Sequence, residues 1–272
     1  MENNKIKKLI KNSVSDLLDN TISEKKIKKI TEKHKAKTHF IPIKYRIFGG
    51  LLQSLNIQFG NFIEVLIHNI VKEEKHIEII SDISGKKNVS LSLTTMTDSL
   101  IDSFITNRQT NNSDNLNSKF KQLINGIVKN QKLDNNFITI KHDVDLLFRD
   151  KKSKIFYYVE VKYNDDHDTG KFVDINRKFI KTYAGLVKKL NIQNVFELKP
   201  ILYYFNRKIM KGNIYVPEKN YIYRGEKLFD EFFTIKYSDL DSCLKNVSED
   251  KEIVRIFDNL YKKIRHTRIV NF

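Results

Sequence analysis

Four residues in one short stretch have the types and spacing to do chemistry together. In KHDVDLLFRDKKSKIFYYVEVKYN, from Lys141 to Asn164, Asp143 and Asp145 precede a charged turn, and Glu160 and Lys162 follow it. The stretch reads as two strands joined near Lys151-Lys152. Side chains alternate faces along a strand. Tyr158, Glu160 and Lys162 therefore share one face of the second strand, and Asp143, Asp145 and Leu147 one face of the first. Folding the strands together brings Asp145 beside Glu160. Two carboxylates so placed suit a hard, oxygen-seeking ion such as Mg²⁺. Hydrolysis of a phosphodiester needs such a site, because the ion neutralises phosphate charge and lowers the pKa of a bound water. Lys162 is spaced to orient that water or help deprotonate it, and to stabilise the added negative charge.

Glu-x-Lys alone says little, since it also starts at Glu24, Glu73, Glu197 and Glu249. Three of these lie in charged helical stretches. Glu197-Leu198-Lys199 abuts a strand, but Pro200 follows at once and no acidic hairpin partner precedes it. Only Glu160 combines an apolar strand with an upstream acidic one.

Composition bounds the partners. Lys and Arg number 49 against 33 Asp and Glu, a net charge of +16 that suits a polyanion. The single cysteine, Cys243, excludes an internal disulfide framework or a cysteine metal cage and points to a reducing, cytoplasmic setting. No apolar run reaches the roughly 18 residues of a membrane span, and no signal core is visible. The seven histidines lack metal-ligand spacing, and there is no Gly-rich phosphate loop. Asp165, Asp166, His167 and Asp168 look like a metal cluster but read better as a turn that caps a helix.

The surrounding elements follow from periodicity. Helices are expected at 5–20 and 22–35, the second opened by a capping box at Thr21-Ile22-Ser23-Glu24. Pro42 breaks the chain, and 43–57 reads as a helix weakened at Gly49-Gly50. Phe59-Gly60-Asn61 then separates it from an apolar helix with Glu64 in its midst. A lone carboxylate there is costly to bury without a partner or a cation. Residues 76–80 and 88–93 suit short strands or an irregular hairpin around Ser84-Gly85. Helices at 95–108 and 119–130 flank a polar loop at 109–118. A long helix at about 170–190 carries Lys171, Arg177, Lys178 and Lys181, which could face phosphates or bases. Ile201 to Phe205 reads as a central strand buried on both sides. The tail mixes short strands with helices near 226–233 and 250–265. The whole is α/β, or α+β, with a mixed central sheet flanked by helices and a helical N-terminal region. A single domain is expected over 1–272: helical region about 1–58, core about 59–205, C-terminal extension about 206–272.

Asp143-Val144-Asp145-Leu146-Leu147-Phe148 followed by Val159-Glu160-Val161-Lys162 resembles the PD-(D/E)xK nuclease superfamily. Val144 stands where the name has proline, which keeps Asp143 as an alternative first ligand. The resemblance implies a restriction-endonuclease-like core that cuts DNA with Mg²⁺. It implies Asp145, Glu160 and the Val161 backbone carbonyl as metal ligands, and Lys162 as the catalytic lysine. The wider layout is similar to type II restriction endonucleases, whose core helix often carries a glutamate facing the site; Glu64 matches it. Within that class the chain resembles enzymes cutting GANTC- or GGNCC-like sites. The expected function is sequence-specific hydrolysis of double-stranded DNA by a homodimer, with a cognate DNA methyltransferase as a genetic partner. The rivals are a structure-specific nuclease, of junction-resolvase or repair type, and a non-catalytic nucleic-acid-binding protein.

Overall fold

The computed structural model describes residues 10–11, 14, 17–18, 23–110, 115–133, 136–165, 168–210 and 212–266. The chain forms two compact units: residues 1–62 with 235–272, and residues 63–234.

In the first unit, α1 spans Glu24–Lys35, preceded by Ser23, whose side chain makes no capping bond. Helix α2 begins at Ile43 and runs unbroken to Glu73. This corrects the expectation of two helices parted at Phe59-Gly60-Asn61. A helix-interior glycine costs about 1 kcal/mol. Ile47, Leu51, Leu55, Phe62, Ile63, Leu66, Ile67, Ile70 and Val71 are all buried at helical spacing, and burial of several such side chains outweighs that cost. Helix α8 (Tyr237–Ser248), absent from the sequence reading, and α9 (Lys251–His266) complete the unit. Ile30, Ile47, Leu51, Leu260 and Ile264 form its core. The helix expected at 5–20 falls largely outside the described residues; Ile10 and Leu18, which are described, are buried.

The second unit holds a five-stranded mixed sheet. Its strands are β1 (Ile77–Ile79), β4 (Leu146–Asp150), β5 (Phe156–Lys162), β6 (Leu198–Tyr204) and β7 (Ile222–Arg224), adjacent in that order. The first two pairings are antiparallel, and β5–β6 and β6–β7 are parallel. Strand β6, interior to the sheet between β5 and β7, is buried on both faces, as its apolar run requires. Strands β2 (Gly85–Thr94) and β3 (Phe137–Val144) pair with each other in a separate sheet. Residues 76–80 and 88–93 thus belong to different sheets and form no hairpin.

Helices α3 (Thr95–Thr110), α4 (Leu116–Leu133) and α5 (Thr169–Lys189) share one core with these strands. The polar segment expected as a loop at 109–118 is shorter: helix reaches Thr110 and resumes at Leu116, and 111–114 are outside the described residues. Asp168 caps α5 by accepting from the Lys171 amide at 2.9 Å, as the turn reading anticipated. The apolar stripe of α5 packs so closely on β2 that a Cβ on Gly185 would lie 2.6 Å from that of Leu91. The Phe179 ring stacks on Tyr158 of β5, 5.5 Å between centroids. That stack sets α5 against β5 at Tyr158. Helices α6 (Glu218–Tyr221) and α7 (Glu226–Phe232) flank β7. No described helix is long and apolar enough to cross a membrane.

Candidate active site

The sheet register brings the acidic pair together. Leu146 pairs with Val159 across β4–β5, and Asp145, one residue earlier, lies against the segment holding Glu160 and Val161. Its Oδ2 accepts from the Val161 amide at 2.8 Å and faces Lys162 Nζ at 3.4 Å. The backbone bends at Asp145, between β3 and β4. Asp143 and Asp145 therefore do not continue one strand face, contrary to the simple alternation. Asp143 turns to the other sheet, where its Oδ1 accepts from the Asn88 amide at 2.8 Å.

Glu160 is fully buried. Its Oε1 accepts from Lys162 Nζ at 2.8 Å and from Lys178 Nζ at 2.9 Å, and its Oε2 from the Tyr158 hydroxyl at 2.8 Å. Strand alternation put Tyr158 on that face. The approach of Lys178 from α5 had no signal in local spacing, because tertiary packing creates it. Lys178, one of the α5 cations that could face phosphates or bases, meets this buried carboxylate.

Lys162 Nζ also donates to the Val161 carbonyl at 2.9 Å. One cation thus sits among Asp145 Oδ2, Glu160 Oε1 and Val161 O, the three atoms expected to bind metal. Such a cradle of hard oxygen donors is chemically suited to Mg²⁺. Among the described residues, no group of three or more His, Cys, Asp and Glu is arranged to hold a metal. Glu64 lines a cleft of about 340 Å³ together with Asp145, His68, Lys86 and Lys87. Its carboxylate lies 3.6 Å from Lys86 Nζ.

Other predicted contacts have carboxylate partners. Arg177 meets Asp102 at 3.2 Å and Asp174 at 3.4 Å, and Lys181 meets Asp98 at 2.6 Å and Asp102 at 3.1 Å. Lys171 is exposed near the start of α5. In the acidic turn, buried Asp165 accepts from the Met210 amide at 2.8 Å and pairs with Arg224 at 3.0 Å; Asp166 and His167 lie outside the described residues. Cys243 is half-buried.

The electrostatics separate the two acids. Burial pushes the Asp145 carboxyl up to about 7, with repulsion from Glu160 adding to it. Burial also pushes Glu160 up, but Lys162 and Lys178 outweigh it and hold that carboxyl well below its usual range. Burial disfavours the Lys162 ammonium, yet Glu160 and Asp145 raise its pKa above the ordinary lysine value and keep it charged.

The Asp145 shift fixes a pH dependence. Between its unfolded pKa of 3.8 and its folded value near 7, the folded protein holds a proton that the unfolded chain has released. Stability from this group therefore falls as pH rises through that window. The opposite contribution of Glu160 varies only below about 4.5. In EDTA, the melting temperature should fall more steeply between pH 5 and 7 for the wild type than for Asp145→Asn. Parallel curves would contradict the shift.

Two comparisons bear on this geometry. A family model described as "Type II restriction endonuclease, HinfI" matches residues 2–248. The Type II restriction enzyme HinfI of Haemophilus influenzae is 52% identical over 262 residues, covering 96% of this chain and 98% of that protein. No solved structure matches. The class so defined is that of type II restriction endonucleases, site-specific deoxyribonucleases that act on DNA. The chain belongs to the HinfI family within it.

Proposed function

We propose that the chain hydrolyses phosphodiester bonds of double-stranded DNA at a sequence-defined site, with Mg²⁺ and with Asp145, Glu160 and Lys162 as its working centre, in a PD-(D/E)xK arrangement. The observation that carries this reading is the single ammonium shared by Asp145 Oδ2, Glu160 Oε1 and Val161 O. Asp145, Glu160 and the Val161 carbonyl would hold the ion, with Glu64 acting from the cleft wall. When bound, Mg²⁺ neutralises phosphate charge and lowers the pKa of a coordinated water.

The chain's own groups divide the remaining work. Lys162 is held protonated by its acidic neighbours, so it acts as a donor: it orients the attacking water and stabilises negative charge on the phosphate. To do so it must leave Glu160. Lys178 and Tyr158 keep that carboxylate oriented and its buried charge compensated while Lys162 moves. Asp143, engaged with Asn88, is the weaker candidate for first ligand. Lys171, Arg177 and Lys181 remain proposed DNA contacts, the last two after exchanging carboxylates for phosphates.

Cutting both strands of a symmetric site calls for two centres and hence a homodimer. The family model and the relative both run through the two compact units, which supports one endonuclease over 1–272. Short interrupted palindromes of the GANTC or GGNCC kind are the proposed targets, with a methyltransferase protecting cytoplasmic host DNA. Digestion of a sequenced phage genome tests the reading. Discrete ends sharing one short sequence are expected with Mg²⁺ and none with EDTA. Structure-dependent nicks would favour a repair-type nuclease instead.

A further inference from the structure

Beside the acidic centre, β2 departs from regular pairing. Gly85 pairs with Val144 and Val89 with His142, so Lys86, Lys87 and Asn88 stand opposite Asp143 alone. The backbone is unusual at both ends of this bulge: φ is +96° at Gly85 and +48° at Asn88. Positive φ at a residue other than glycine is costly and persists where surrounding contacts enforce it.

Here those contacts tie the bulge to the chain around Asp145. Ser84 Oγ accepts from the Leu147 amide and donates to the Leu147 carbonyl, each at 2.8 Å. The Asn88 amide donates to Asp143 Oδ1 at 2.8 Å. The two anchors flank Asp145 in sequence, at positions 143 and 147. Bulges next to active sites re-aim side chains, and this one presents two adjacent lysines. Lys86 and Lys87 are exposed and line the same cleft as Asp145, Glu64 and His68. Lys87 donates to the Ser81 carbonyl, and Lys86 reaches the Glu64 carboxylate.

We propose that the Lys86–Lys87 bulge is a binding subsite for a backbone phosphate of the DNA substrate, next to the phosphate that is cut. The idea rests on the reading of Asp145 as part of the reaction centre. A rigid bulge fixed to the backbone on both sides of that residue sets the distance between a bound phosphate and the acidic pair. Lys86 exchanges its partly exposed carboxylate for the phosphate, which leaves Glu64 open to the cation site. Asp143 takes a structural role, as the clamp on the bulge.

The test is the salt dependence of DNA affinity, measured by fluorescence anisotropy in EDTA with the full-length protein and a labelled duplex carrying the mapped cleavage sequence. Each phosphate contact contributes about 0.9 to the slope of log affinity against log salt. Lys86→Gln and Lys87→Gln should each lower the slope by up to that amount, and by the same amount on a duplex lacking the site. Lys86→Arg should restore it. Wild-type slopes in both glutamine variants, with unchanged melting temperatures, would overturn the proposal and leave the Lys86–Glu64 ion pair with no part in DNA binding. Failure of the underlying reading shows separately: Asp145→Ala would then cut DNA normally, whatever the slopes.

Discussion

Asp145→Ala is expected to bind the duplex carrying its cleavage sequence as well as the wild type does in EDTA, and to cut it at least about a thousandfold more slowly with Mg²⁺. Loss of an ion's charge stabilisation removes several kcal/mol from the transition state, and each 1.36 kcal/mol is a factor of ten. Binding survives because Asp145 is buried and touches the Val161 amide and Lys162. The substitution also removes a carboxyl that burial and Glu160 oppose. It also leaves the buried Val161 amide without its acceptor, a cost of about 1–3 kcal/mol, so melting curves must show that inactivity does not come from unfolding. Single-turnover rates, with melting curves on the same samples, check both halves.

The second large effect divides two lysines that share one oxygen of Glu160. Lys162→Met should lower single-turnover cleavage by roughly 10²–10⁴-fold, the range for a positioned group that handles a proton or charge in the transition state. Lys178→Met should cost less, about 10–100-fold, as for residues that orient a metal's ligands. Both losses should appear in the rate at saturating DNA. Lys178→Arg should recover much of the activity, since its guanidinium can still donate to Glu160. Were Lys178 a phosphate contact, Lys178→Met would instead weaken binding, flatten its salt dependence and leave the saturated rate unchanged.

The acidic pair and Lys162 were legible because strand alternation and a hairpin-scale separation are local properties. The same rules missed the bend at Asp145, where one apparent strand passes from β3 to β4 and into another sheet. They also parted α2 at Gly60, because a glycine penalty is visible in sequence and the burial that offsets it is not. Helix α8 went unread for a similar reason: its buried residues are sparse, with Tyr237, Leu240 and Val247 the clearest. On α5 the charges are legible in sequence and their partners are not. Arg177, Lys178 and Lys181 look free in sequence, but Asp98, Asp102 and Glu160 come from elements distant along the chain. The Gly85-Lys86-Lys87-Asn88 run did carry a signal, a glycine and an asparagine enclosing two cations, yet its tie to Asp143 required the fold.

The assignment of Asp145 to the reaction centre meets its most direct test in one measurement. Asp145→Ala and Asp143→Ala are each saturated with the same labelled duplex, and Mg²⁺ is added to start a single turnover. Asp145→Ala should leave the duplex intact, while Asp143→Ala, once saturated, should still cut it, at most about 100-fold more slowly than the wild type, as expected for a residue acting only through positioning. Cleavage at the wild-type rate by Asp145→Ala, with none by Asp143→Ala, would contradict the account.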